Sequence, residues 1–171
     1  MKLHTLGPAE TDSAAAAAQY CQTHPALEVA YHPSFEELYA HLTKYRGDQL
    51  LVPAAYQSLA GLSWGQLHYR YLAALTLVDG FLYELAPLVL AELPTRANQR
   101  AYVHPANADL LRQLIPTAEI CLCPSKITAA DRFLADGRYV ITSQAALPTH
   151  LPLRIHHRWT VPMLWSVYLI N

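Results

Sequence analysis

The chain has 171 residues, 53% of them apolar and only 15% charged, where about 25% charged is ordinary for a soluble domain. That balance excludes a disordered chain, which stays open only with low hydrophobicity and high net charge. Twelve Lys plus Arg against thirteen Asp plus Glu give a net charge of −1 with no clustered cations, which excludes nucleic acid as a partner because a phosphate-binding face needs them. The length suits one domain or two small lobes sharing a chain. So little ionic surface also suggests that a second copy covers part of it, as a homodimer.

Cys21, Cys121 and Cys123 make an odd number, and the residues after Lys2 (His4, Gly7, Pro8, Glu10) form no apolar leader. The expected location is therefore cytoplasmic and reducing. Cys121 and Cys123 lie inside ICLC, which reads as a buried strand, and no second ligand pair accompanies them, so neither a metal nor another cofactor is expected. The longest apolar stretch, 72–93, is interrupted by Asp79, Glu84 and Pro87. Each charge in hydrocarbon would cost about 2.5 to 3.5 kcal/mol, so the segment is not expected to span a membrane.

In chain order, 2–6 reads as a strand stopped by Gly7-Pro8, and 13–22 as an Ala-rich helix with Thr11, Asp12 or Ser13 as N-cap. A second strand covers 27–31. A helix from Ser34 through Tyr45 follows, with Phe35, Leu38, Leu42 and Tyr45 at helical spacing and Gly47 ending it. Residues 49–52 form a third strand. From 67 to 93 the pattern becomes two long extended runs split by Asp79-Gly80, a dipeptide that favours a hairpin. Alternation resumes with strand 101–103, helix 107–114, strand 119–123, helix 126–135 and strand 139–141, and a last extended segment runs from 153 to 170. Strands alternating with helices imply parallel sheets covered on both faces. Two such sets predict an α/β chain of two lobes: 1–78, then 79–148, with 149–171 returning to complete the first.

In such folds ligands bind beyond the carboxyl ends of strands, against helix N-termini. The loops GPAETDS (7–13), VPAAYQS (52–58), VHPAN (103–107) and CPSKIT (123–128) each put small or hydroxylated residues before a helix or turn. Their unsatisfied N–H groups favour an anion, most simply a small-molecule carboxylate.

These loops carry a resemblance. GPAETDSAAAA resembles the opening of prephenate dehydratases, and SFEELYAHL, LLVPAAYQS, LVDGFLYELAPLVL, HPAN and SKITAADRFLADGRY follow in the same order at similar spacing. The resemblance covers nearly all of the chain and implies the two-lobed fold of type 2 periplasmic binding proteins, with a cleft between the lobes. The dehydratases' Thr-Arg-Phe slot in the final strand here reads Met163, Leu164, Trp165, and their Glu-Asn-Ser after Val-Pro is replaced by Ala54, Ala55, Tyr56, Gln57. VPAAY and PMLWS are instead similar to the non-aromatising prephenate decarboxylases of the bacilysin type. Glu10, where the family has a second glycine, and Ala54, where the bacilysin enzyme has His, depart from that pattern too. Since the sequence stops at Asn171, the ACT regulatory domain of many dehydratases is not expected.

The resemblance implies a cofactor-independent lyase that decarboxylates prephenate in a specialised amino-acid pathway such as antibiotic biosynthesis. Such an enzyme must hold the ring hydroxyl without protonating it, desolvate the departing carboxylate and protonate the ring. An apolar Met163-Leu164 wall suits the first need. Tyr56 is the first candidate for donor or general acid, against a packing role. His104 follows a strand and precedes Pro105, where either a ligand contact or a turn cap would stand. Thr11 and Ser13 suit a carboxylate or a helix cap alike. Ala55 joins Tyr56 in the Val-Pro loop. Ser125, Lys126 and Thr128 open the second-lobe helix, where the resemblance places substrate contacts, and Met163 and Trp165 line either pocket or core. His156 with Arg154 and Arg158 forms a local cationic face. The alternatives are a catalytically degenerate relative that only binds an aromatic or amino-acid-like carboxylate, and a true prephenate dehydratase.

Overall fold

The computed structural model describes residues 1–171. The chain forms two compact units, one of Met1–Tyr83 with Pro162–Asn171 and one of Glu84–Val161. The exchange falls at 84 and 161 rather than at 79 and 149, because Leu75–Glu84 is a single strand of the first sheet.

In the first unit the strands are β1 (Lys2–Leu6), β2 (Glu28–His32), β3 (Gln49–Pro53), β4 (Leu75–Glu84) and, from the end of the chain, β10 (Pro162–Ile170). They stand in the order β2-β1-β3-β10-β4, with β1 parallel to β2 and β3, and β10 antiparallel to β3. Helix α1 (Asp12–Thr23) packs on β1, β2 and β3, burying the Ala-rich stripe Ala14, Ala16, Ala17 and Tyr20. Small side chains there let the helix approach the sheet closely. A core of Phe35, Leu38, Tyr39, Leu42, Leu50, Val52, Leu67, Tyr168 and Ile170 brings α2 (Phe35–Ala40) and α3 (Trp64–Arg70) onto one face. Since strand side chains alternate, Trp165 and Val167 point to the opposite face, the one α1 covers.

The second unit carries β5 (Leu88–Glu92), β6 (Arg100–Val103), β7 (Glu119–Leu122), β8 (Tyr139–Ser143) and β9 (Arg154–Trp159) in the order β7-β6-β8-β5-β9. Val89, Ala91 and Val140 face α5 (Lys126–Asp136), whose Ala129, Ala130 and Phe133 complete one core. Leu88, Leu90, Ala101, Val103 and Ile141 face the other way, onto Leu111 of α4 (Ala108–Leu114). Both faces are covered, as the unbroken apolar strands require.

Five sequence expectations need correction. LHYRYL is helical: Ser63 and Gln66 form a capping box at the start of α3, each side chain bonding the other's backbone N–H. Asp79-Gly80 makes no hairpin; both lie inside β4, and Gly80 has no positive φ. The helix through Tyr45 stops at Ala40 and continues as a 3-10 turn, Leu42–Tyr45, ended by Gly47 at φ +83°. The last extended segment is two strands in different sheets, β9 and β10, broken at Thr160-Val161. ICLC is also no buried strand, since β7 is a sheet edge with Leu122 exposed and only Cys123, just beyond it, fully buried. No helix is long and apolar enough to cross a membrane.

Candidate functional site

Helix α1 offers the best-built anion-facing terminus in the first unit. Gly7 bends the chain out of β1 so tightly that a Cβ there would meet Tyr31 Cβ at 2.8 Å, and its N–H donates to the His32 carbonyl at 2.8 Å. Thr11 is the N-cap. Its hydroxyl accepts from the Ala14 N–H at 3.1 Å and stands 3.1 and 2.9 Å from the Leu6 and Pro8 carbonyls, to which it donates. Capping thus fills the hydrogen-bonding capacity of the Thr11 side chain. Ser13, in the same turn, is 5% exposed. A hydroxyl at the positive end of a three-turn helix is suited to a carboxylate oxygen.

The Val-Pro loop and the final strand meet. The Ala54 N–H donates to the Leu164 carbonyl at 2.8 Å, and Trp165 pairs with Pro53 across β3 and β10. Ala55 and Leu164 are exposed and Met163 is half-buried. Trp165 is 1% exposed, and its indole N–H has no acceptor. A buried donor without a partner costs about 1 to 3 kcal/mol, so one retained on the α1 side of the sheet is a candidate ligand contact.

Tyr56 is in the core. Its ring packs on Phe35 at 4.7 Å, among Leu38, Leu67 and Leu75. Burial first, and then the negative charge of the Glu36 carboxylate, push its pKa far above the phenol's ordinary range. A phenol held that way is a poor acid near neutrality. Glu36 was not singled out from the sequence, where it was only one of two acids opening SFEEL.

The remaining candidates belong to the second unit. His104 caps the short turn Pro105–Asn107, its Nδ1 accepting from the Ala106 N–H at 3.3 Å. Ser125 is the N-cap of α5, taking the Thr128 N–H at 3.1 Å, with the two hydroxyls 3.0 Å apart. Lys126 is half-buried, and its carbonyl accepts from the Thr142 hydroxyl at 2.7 Å. The structure therefore assembles Thr11, Ser13, Ala55, Tyr56, Met163 and Trp165 in one unit and His104, Ser125, Lys126 and Thr128 in the other. In the cationic face, Arg154 and His156 do meet. Both turn to Glu92 on β5, which Arg138 also holds.

No family model matches this chain, and no curated protein matches its sequence. Solved structures do match it. Prephenate dehydratase from Arthrobacter aurescens, in complex with L-Phe, is 14% identical with a TM-score of 0.58, over 100% of this chain and 61% of that one. The prephenate dehydratase of Staphylococcus aureus is 13% identical with a TM-score of 0.58, over 98% and 66%. The periplasmic VFT2 domain of Bordetella pertussis BvgS is 14% identical with a TM-score of 0.60, over 99% and 80%. The chain thus spans about two thirds or less of the dehydratase chains it matches. Its fold is α/β and two-lobed, prephenate dehydratase-like and periplasmic-binding-protein-like.

Proposed function

We propose that this chain binds a small cyclic carboxylate at the N-terminus of α1 and acts on prephenate as a non-aromatising decarboxylase. The observation that carries the reading is the Ala54 N–H to Leu164 carbonyl bond. It joins, in one place, the two segments in which the sequence departs from dehydratases and resembles the decarboxylases. The Ser13 hydroxyl and the helix terminus would take a carboxylate, and Trp165 supplies a buried N–H that can hold a substrate oxygen. Met163, on the Trp165 side of β10, offers no proton to a ring hydroxyl, so the carboxylate can leave as carbon dioxide, its bonding electron pair passing to a diene carbon that takes a proton from water, while the hydroxyl stays.

A second reading, binding without turnover, is favoured by Tyr56, whose phenol lies inside the core and is held far above its ordinary pKa by burial and by the Glu36 carboxylate. Incubating the protein with prephenate while following evolved carbon dioxide and ultraviolet absorbance separates the two. Carbon dioxide without phenylpyruvate supports the decarboxylase, and thermal stabilisation by prephenate without turnover supports the binder. Phenylpyruvate formed faster than in the uncatalysed reaction overturns both.

A further inference from the structure

Four polar groups, none of them part of the proposed carboxylate site, meet where β1, β2 and the start of β3 come together. His4 on β1 is 2% exposed and uses both ring nitrogens: Nε2 stands 3.1 Å from Asp48 Oδ2 and Nδ1 stands 2.8 Å from His32 Nε2 on β2. Asp48 accepts the Lys2 N–H through its other oxygen at 2.8 Å. The Tyr45 ring closes over both imidazoles, 4.3 Å from His4 and 5.2 Å from His32. A carboxylate can only accept, so His4 carries a hydrogen on Nε2, and in a neutral His4 the Nδ1 then accepts from His32 Nε2–H. One hydrogen lies between the two rings.

That hydrogen has a distant consequence. His32 ends β2, and its carbonyl takes the N–H of Gly7, which opens the 7–13 loop leading to α1. β2 is a sheet edge, held in the sheet on the β1 side alone. Whatever fixes His32 therefore fixes the entrance to the loop.

We propose that His4 and His32 form a proton-operated latch on the 7–13 loop, shut while a single hydrogen joins the rings and opened when both facing nitrogens are protonated. The pair accepts a first proton without disturbance, because a charged imidazole still shares one hydrogen with a neutral one. A second proton sets N–H against N–H at 2.8 Å and two like charges side by side, one of them buried. The rings must then part. The charged groups around them are Asp48, the amino terminus acting on Asp48, and Glu37 of α2 acting on His32. Burial first, then the neighbouring His4, lower the pKa of His32 despite Glu37, so the folded chain resists protonation of His32 more than the unfolded one does even while the shared hydrogen is kept. The latch is therefore fully stable above the unfolded value of 6.5 and weakens as pH falls below it. Its link to carboxylate binding rests on the function proposed above; the latch itself does not.

The test is amide hydrogen exchange at Gly7, expressed as a protection factor, in the full chain and in His32→Gln. The Gln amide can donate to His4 Nδ1 as the imidazole does but takes no proton. Between about pH 7.5 and about pH 5, wild-type protection at Gly7 should fall by about tenfold or more, while His32→Gln stays level. Unchanged protection in the wild type overturns the latch, and so does an equal fall in the variant. Should His32→Gln fail to fold, nitrogen-15 spectra of the wild-type rings decide: a shared hydrogen and coupled titration support the latch, and independent titration of both rings near their ordinary pKa overturns it. Failure to bind prephenate at any pH would overturn the functional reading and leave these outcomes intact.

Discussion

Glu92 is 3% exposed in the middle of a sheet, and its charge persists because Arg138, Arg154 and the His156 ring surround it. Arg138 donates to Oε1 through Nε and Nη2 at 2.9 and 2.8 Å, while His156 stands 2.8 Å and Arg154 3.4 Å from Oε2. Burial alone would raise its carboxyl, but Arg138 and His156 outweigh burial and hold it below the usual range. Its folded pKa is thus depressed, so its stabilisation is present above the unfolded value of 4.5 and lost as pH falls through the lower folded one. Glu92→Gln should cost about 2 to 3 kcal/mol in denaturant titrations near neutral pH, less than a fully buried pair because Arg138 and His156 can rehydrate. The variant should also lose part of the stability slope below about pH 4.5. Tyr56→Phe keeps the ring against Phe35 and is expected to cost no more than about 1 kcal/mol, while carboxylate affinity measured by calorimetry stays unchanged. A large loss of affinity in that variant would return Tyr56 to the site. The Glu92 role could not be seen in the sequence, where its three partners lie far apart, whereas for Tyr56 the sequence offers donor and packing roles side by side and the core position selects packing.

Elements were legible where one pattern dominated and were misread where two competed. Strands β1, β3, β6 and β8 and helices α1 and α5 follow from unbroken apolar runs and from capping residues, Thr11 and Ser125, whose side chains make the expected bonds. Helix α3 was missed because its Tyr-rich, apolar run suits a strand as well, and its start depends on the local Ser63-Gln66 exchange. The Asp79-Gly80 pair misled because turn propensity is a local preference. In β4 the Asp79 carboxylate instead accepts from the Tyr20 hydroxyl at 3.0 Å, which keeps the strand running past α1 and, together with burial, pushes the tyrosine pKa to about 12. The candidate site was legible to the same degree. Thr11 and Ser13 fall at a helix terminus because capping and anion binding need the same geometry, whereas the link between Ala54 and Leu164 joins segments too far apart in sequence for any pattern to reveal. Thr11→Ala should destabilise the protein by about 1 kcal/mol, with Thr11→Ser recovering most of it. If capping is the main task of Thr11, prephenate binding corrected for stability will change little between the two variants.

The way the chain threads its two units makes them unequal in folding. Glu84–Val161 is one continuous stretch with its own sheet and two cores, whereas the first unit is assembled from Met1–Tyr83 and Pro162–Asn171. Its strand β10 sits between β3 and β4, so that sheet cannot close until everything between β4 and β10 has been brought round. Closing so long a loop costs entropy that grows with its length, unless the loop is already folded. The continuous unit shortens it: β5 and β9 pair antiparallel, and the Leu85 N–H donates to the Val161 carbonyl at 2.9 Å, bringing its two ends together. A polypeptide of residues 84–161 should therefore fold alone, with cooperative denaturation and dispersed amide resonances, while residues 1–83 alone should not, because β3 then lacks its antiparallel neighbour. Glu92→Gln weakens the β5–β9 junction and should slow formation of the first unit as well, visible as delayed burial of Trp64 and Trp165 relative to Trp159 in refolding. A disordered 84–161 fragment, or a first unit that forms at its normal rate in the Glu92 variant, would show instead that the two units fold independently of that junction.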